Sequence, residues 1–234
     1  MVEKWLGICD NGNMKRKIPL VNGEVYHILS KSIAEYKIFN SKEDYLRMEQ
    51  VMKYYQIKLD HKYSYFITLN GVVKDGFNNY FEEVAKDEEN LVQIIAYCLM
   101  PTHLHLILKQ LEDNGISKYM GNILNSYTRY FNNKHKRKGP LWEAKFKNVL
   151  VESDEQLLHL TRYIHLNSTT AFLVKKPEDW DCSSYKEYIG KLIKLKMCDY
   201  INILDIDPSL YRQFINDRIS YQRELAKIKA LVLD

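Results

Sequence analysis

Ala96-Tyr97-Cys98-Leu99-Met100-Pro101-Thr102-His103-Leu104-His105-Leu106-Ile107-Leu108 is the stretch that decides the fold. Met100-Pro101-Thr102 is a turn between two apolar runs, so the segment reads as two successive strands. Side chains alternate faces along a strand, so His103 and His105 project from one face while Leu104 and Leu106 enter the other. Two imidazoles on one strand face are half of a metal site. Neutral imidazole suits Mn, Co, Ni, Zn and Cu and is less typical of Mg, so the pair alone fixes neither the metal nor the reaction. An HxH pair can equally serve packing, and a third ligand and a nucleophile have to come from elsewhere.

Working outward, the strands are expected at Leu91–Leu99 and His103–Lys109. Upstream, the first two dozen residues, with Lys15-Arg16-Lys17, read as a polar arm, and Glu24–Ile33 as a first strand. Ser41 is an N-cap before acids and helically spaced apolar residues, which gives a first helix. Residues 61–90 read as an insertion: a β-like Tyr63–Leu69, a turn at Asn70-Gly71 and a short helix over Asn79–Lys86. Downstream, a second helix runs from Ser117 with Tyr119, Ile123, Tyr127 and Tyr130 near one face. Ala144–Glu152 alternates as a fourth strand, and Ser153-Asp154-Glu155-Gln156 is a capping box opening a third helix. The order βαββαβ followed by a helix predicts an α+β, ferredoxin-like antiparallel sheet with both early helices on one face. One domain is expected over 1–190 and a helical C-terminal extension over 191–234, with a tail helix from Asp207-Pro208-Ser209 to Leu231.

The 234 residues are 46% hydrophobic and 27% charged, an ordinary soluble composition, and the net charge of +4 alone does not point to a polyanionic partner. Cys9, Cys98, Cys182 and Cys198 form no CxxC, which speaks against a zinc knuckle or a disulfide framework and for free thiols in a reducing cytoplasm. Charged residues interrupt every apolar run and the start is not signal-like, so a cytoplasmic protein without membrane spans is expected.

In the third helix Tyr163 and Asn167 are four apart and share a face, with His159 a turn earlier. An attacking phenol and a ligating amide oxygen would need this spacing if the helix crossed the histidine face. An amide oxygen with two imidazoles suits Mg or Mn. Tyr127 and Tyr130 are rival nucleophiles, but neither has a ligand-type residue one turn on. From Arg129 to Lys147 there are seven cations (Arg129, Lys134, Lys136, Arg137, Lys138, Lys145, Lys147) against one acid, Glu143. Tyr130, Phe131, Trp142 and Phe146 are interleaved, so the loop can offer charges to phosphates and rings to bases; the plain alternative is a solvated charged loop.

Ala96–His105, Asn125-Ser126-Tyr127-Thr128-Arg129-Tyr130-Phe131-Asn132, Gly139-Pro140-Leu141-Trp142 and Leu160-Thr161-Arg162-Tyr163-Ile164-His165-Leu166-Asn167 resemble, in order and spacing, the single-tyrosine HUH transposases of insertion sequences. The resemblance is to the REP-associated tyrosine transposase branch and runs from about Val21 to Gly190. It implies a ferredoxin-like endonuclease acting on single-stranded or hairpin DNA, with His103 and His105 as metal ligands, Tyr163 as nucleophile and Asn167 as the third ligand. The basic cluster, with Trp142, would bind DNA. The cofactor would be divalent, Mg or Mn, and the chain would act as a homodimer or a monomer. Two departures stand out: Thr102 for the commoner Asn, and Ser168 for the commoner Pro. Two other functions stay open: a catalytically silent hairpin-binding protein, and a phosphodiesterase using activated water.

Overall fold

The computed structural model describes residues 19–143, 145–191 and 195–233, with 227–233 by backbone alone. Lys15-Arg16-Lys17, Cys9, Ala144 and the middle of the Lys191–Lys196 connection lie outside the described residues, as do the side chains of Ile228 and Leu231. The elements are β1 (Val25–Lys31), α1 (Lys42–Tyr55), α2 (Tyr63–Phe66), α3 (Asn70–Ala85), β2 (Val92–Met100), β3 (His103–Gln110), α4 (Gly115–Lys134), β4 (Lys147–Leu150), α5 (Asp154–Thr170), α6 (Tyr185–Tyr188), α7 (Pro208–Asn216) and α8 (Ile219–Leu233). The sheet is antiparallel, in the order β2-β3-β1-β4. This is the ferredoxin-like α+β arrangement that the element order predicts.

The alternating pattern of the strands sorts residues into two layers. Tyr26 and Ile28 of β1 and Leu104, Leu106 and Leu108 of β3 are fully buried beneath α1 and α4, against Met48, Val51, Tyr119, Ile123 and Phe131. The opposite face carries Ile107 of β3 and Cys98 and Met100 of β2, covered by Leu157 and Ile164 of α5. An irregularity between Ile94 and Ala96 resets β2 so that Cys98 pairs with His105 and Met100 with His103. A one-residue slip of β3 would turn three leucines out of the first layer and drive two imidazoles into it. The leucines thus hold the histidines on the α5 face.

Local signals explain the best-placed elements. Ser41 and Asp44 form a reciprocal capping box on α1. On α5, Ser153 accepts from the Gln156 amide, while the Gln156 side chain accepts from the Glu152 amide, one residue further out than a standard box. The insertion differs from its sequence reading. Tyr63–Phe66 is a helical turn, and Asn70-Gly71 begins a helix broken at Gly76, whose φ is +81°. The aromatic run packs as a helical cluster (Phe66, Phe77, Phe81) against the first layer, and Gly71 is needed where a Cβ would meet the Tyr80 ring. The tail is two helices, interrupted at Asp217-Arg218, rather than one.

Residues beyond Gly190 join both layers: Leu195, Met197 and Cys198 the first, Tyr211 and Ile215 the second. Cys182–Ser184 runs along the free edge of β2, through Leu99 N–H to Cys182 O and Ser184 N–H to Tyr97 O. Cys98, Cys182 and Cys198 are free thiols. Among the described residues no helix is long and apolar enough to cross a membrane.

Candidate active site

The α5 face of the sheet is where chemistry-bearing side chains converge. The Tyr163 ring meets the His105 ring edge-on, centroids 5.7 Å apart, and the ring of His27 on β1 at 6.3 Å. The His103 and His105 rings are 5.1 Å apart and nearly perpendicular. Asn167 follows Tyr163 by one helical turn, a rise of about 5.4 Å. It is half-buried, and its amide nitrogen is buried with no hydrogen-bond partner. Histidines and tyrosine belong to one chain.

Each imidazole of the pair has a neighbour at Nδ1. Nδ1 of His103 lies 3.0 Å from the Thr102 hydroxyl, and Nδ1 of His105 lies 3.0 Å from Nε2 of His27. Burial, then the nearby Lys31 charge, pushes His103 down to about 4. Burial first, then His27, His103 and Lys31, holds His105 well below the usual imidazole range. Both rings are therefore neutral near pH 7, the form that ligates metal. The Tyr163 phenol moves the other way, raised by burial and then by Cys98. It stays protonated at neutral pH, so it is a weak nucleophile unless something stabilises the developing charge.

Among the described residues no three His, Cys, Asp or Glu side chains gather as a metal centre. His27 does not complete one, because its Nε2 is already engaged with His105. The donors this face could offer a cation are the two neutral imidazoles and the Asn167 amide. Two imidazoles with the amide oxygen of Asn167 would suit a hard or borderline divalent ion.

Other sequence candidates sit elsewhere. His159 is exposed, its ring against Phe214 of α7 and its Nδ1 beside Arg162. The Tyr127 hydroxyl donates to Ile38 O and that of Tyr130 to Asp44, both on the α1/α4 layer and away from the histidines. Ser168 has a backbone N–H that proline lacks, and α5 runs past it to Thr170.

The basic cluster divides. Lys134 donates to the fully buried Asp44 at 2.7 Å and reaches Ser41, tying α4 to the N-terminus of α1. Arg137 donates to Asn132 and to Pro140 O, and the Trp142 indole N–H to Leu124 O and Thr128. These three build the loop. Arg129, Lys136, Lys138, Lys145 and Lys147 are exposed. Sequence reasoning missed His27 and Lys31; the available signal was the phase of β1, in which Val25, His27 and Leu29 share a face opposite the buried Tyr26 and Ile28.

The fold and this face define a tyrosine-bearing α+β domain, and the chain belongs to the family of IS200-like transposases, whose model matches residues 49–167. It is 23% identical over 138 residues to a curated Haemophilus influenzae protein of the REP-associated tyrosine transposase group, covering 53% of this chain and 78% of that one. Its fold is that of a REP-associated tyrosine transposase solved bound to a REP hairpin, with a TM-score of 0.50 and 14% identity over 80% of this chain and 93% of that one.

Proposed function

We propose that this transposase is a metal-dependent endonuclease and strand transferase of single-stranded DNA, working through a 5′-phosphotyrosine link and recognising hairpin DNA. The observation that carries the reading is the approach of Tyr163 to His105 on the face where His103 also projects. The hairpin bound by the related solved structure supports the choice of substrate.

His103, His105 and Asn167 would hold a divalent ion, Mg or Mn, which when bound supplies Lewis-acid neutralisation of phosphate charge. The chain's own residues do the rest. The sheet fixes both imidazoles, and burial keeps them unprotonated. Tyr163 Oη attacks the scissile phosphorus as its proton passes to water. The P–O3′ bond breaks, and the leaving 3′ oxygen takes up a proton. Attack by a 3′-hydroxyl on the phosphotyrosine reverses the step and returns the phenol. One diester replaces another throughout, so no nucleotide cofactor is required. Arg129, Lys136, Lys138, Lys145 and Lys147 would take the DNA backbone. Tyr163 lies beside His105 of its own chain, which supports use of the tyrosine in cis, by a monomer or by each copy of a homodimer, and a cytoplasmic location belongs to the same reading.

The test is to incubate the protein with end-labelled hairpin DNA and Mn or Mg and resolve the products in denaturant. An adduct that vanishes in Tyr163→Phe, with hairpin binding retained, is expected. Binding without any adduct in the parent protein would replace the reading with a silent hairpin binder. Cleavage that persists in Tyr163→Phe would replace it with hydrolysis by water.

A further inference from the structure

We propose that His27 is a positioning residue of this site: it accepts a hydrogen bond from the Nδ1–H of His105 and so holds that ring with Nε2 available to the cation. The proposal rests on His103, His105 and Asn167 being the ligand set, and it concerns a residue on a different strand that lies outside the matched residues 49–167.

The register brings the two rings together. His27 pairs with Ile107 and Leu29 with His105, so His27 is the diagonal neighbour of His105 across the β1–β3 ladder and on the same face. Nε2 of His27 is 3.0 Å from Nδ1 of His105. The ring planes are 11° apart with centroids 5.2 Å apart, so the rings lie edge to edge and the hydrogen bond runs close to both planes. Tyr163 closes over the pair, 5.7 Å from one ring and 6.3 Å from the other. The His105 ring is thereby fixed by a bond at its far nitrogen, by its strand and by a neighbouring phenol.

A hydrogen bond between two neutral imidazoles carries one proton, which has two places to sit. If His27 Nε2 donates, His105 must carry its own proton on Nε2 and cannot ligate through that atom. If His105 Nδ1 donates, His105 Nε2 keeps its lone pair. Only the second arrangement is compatible with ligation through Nε2, and it makes His27 the acceptor that fixes the tautomer. Ligating histidines ordinarily donate their second N–H to an acceptor that fixes the tautomer and orients the ring. Thr102 stands in the equivalent place for His103, but a hydroxyl can donate or accept and so selects no tautomer by itself. The ring of His27 adds a flat, rigid partner that the threonine lacks.

The test measures Mn2+ affinity on the full chain, by the electron paramagnetic resonance of free ion, in the parent, His27→Phe, His27→Gln and His105→Ala. His27→Phe fills the space without an acceptor and is expected to bind Mn2+ about 10–100-fold more weakly. His27→Gln puts an amide oxygen near the Nε2 position and is expected to recover most of the loss, a rescue that packing alone would not give. A second readout is free of folding effects: long-range ¹H–¹⁵N spectra of the Mg-loaded parent should show His105 protonated on Nδ1. The proposal falls if His27→Phe binds as tightly as the parent while His105→Ala does not, or if His105 is found protonated on Nε2. If His105→Ala binds as tightly as the parent, the ligand set itself is wrong and the proposal goes with it.

Discussion

Thr102 shows how a neighbouring residue can serve a site without touching what binds there. Its hydroxyl lies 3.0 Å from His103 Nδ1 and can accept a hydrogen bond from the Nδ1–H that an imidazole ligating through Nε2 would carry. Asparagine, the commoner residue of the resembling transposases at this place, also offers an oxygen, so the departure preserves an acceptor. Thr102→Val keeps the shape and removes that oxygen. It is expected to lower Mn2+ affinity about tenfold, whereas Thr102→Ser should leave affinity near the parent value; calorimetric titration distinguishes them. The shared face of His103 and His105 was legible because period two allows only one arrangement of an HxH pair on a strand. His27 was not, since a single histidine in a strand of partial alternation has no spacing partner in sequence, and its partner is brought to it by register alone.

At the scale of elements, α4 and the loop after it separate cations that look alike in sequence. Burial alone would raise the Asp44 carboxyl, but Lys134, the Asn40 amide and the Tyr130 hydroxyl outweigh it and hold it below the usual carboxylate range. Lys134→Met leaves that buried carboxylate one donor short and is expected to cost about 1–3 kcal/mol of stability in urea unfolding. Lys136→Gln with Lys138→Gln should instead leave the unfolding midpoint in place and lower hairpin affinity. The slope of log affinity against log salt should become shallower by about one for each phosphate that is no longer neutralised. Equal unfolding midpoints for the Lys134 variant and the parent would remove the structural role assigned to that lysine. Helix α1 was legible because its N-cap Ser41 and the first-turn acids Glu43 and Asp44 are neighbours in sequence. The helix over Asn70–Ala85 was legible only in its second half, expected at Asn79–Lys86, because Asn-Gly is an ordinary turn signal and only the Tyr80 ring over Gly71 reveals a helical packing there.

Across the whole molecule, the tail is bound into both layers by buried polar groups. Tyr211 of α7 meets His165 of α5 at 2.7 Å and donates to Thr161 at 2.9 Å, and His165 Nε2 meets Ser184 at 2.8 Å. Glu187 of α6 accepts from the Cys198 amide at 3.0 Å through Oε2, while its Oε1 is buried without a partner. Burial raises this carboxyl from 4.5 to about 7, against the pull of the Cys198 and Met197 amides. Between those values the folded chain holds more protons than the unfolded one. Stability is therefore whole below pH 4.5 and falls as pH rises to about 7, by up to roughly 3 kcal/mol from this group. Glu187→Gln keeps the acceptor and cannot ionise, so urea unfolding at pH 5 and pH 8 should show a shallower decline than the parent; an unchanged decline would exclude Glu187 as its source. None of this was legible beyond the statement that a helical extension exists, because its anchors are pairings between residues far apart in sequence.

The strand that carries His103 and His105 is an inner one, bonded to β2 on one side and β1 on the other. Shifting the backbone beneath either imidazole would disturb two ladders at once, whereas α5 packs on the sheet through side chains such as Leu157 and Ile164. In the proposed cycle of cutting and rejoining, the two imidazoles are accordingly the stationary part of the cation cradle, while Asn167 rides on the same helix as Tyr163. Whatever travel the exchange of ends requires falls to the helix and the strand tethered to its phenol.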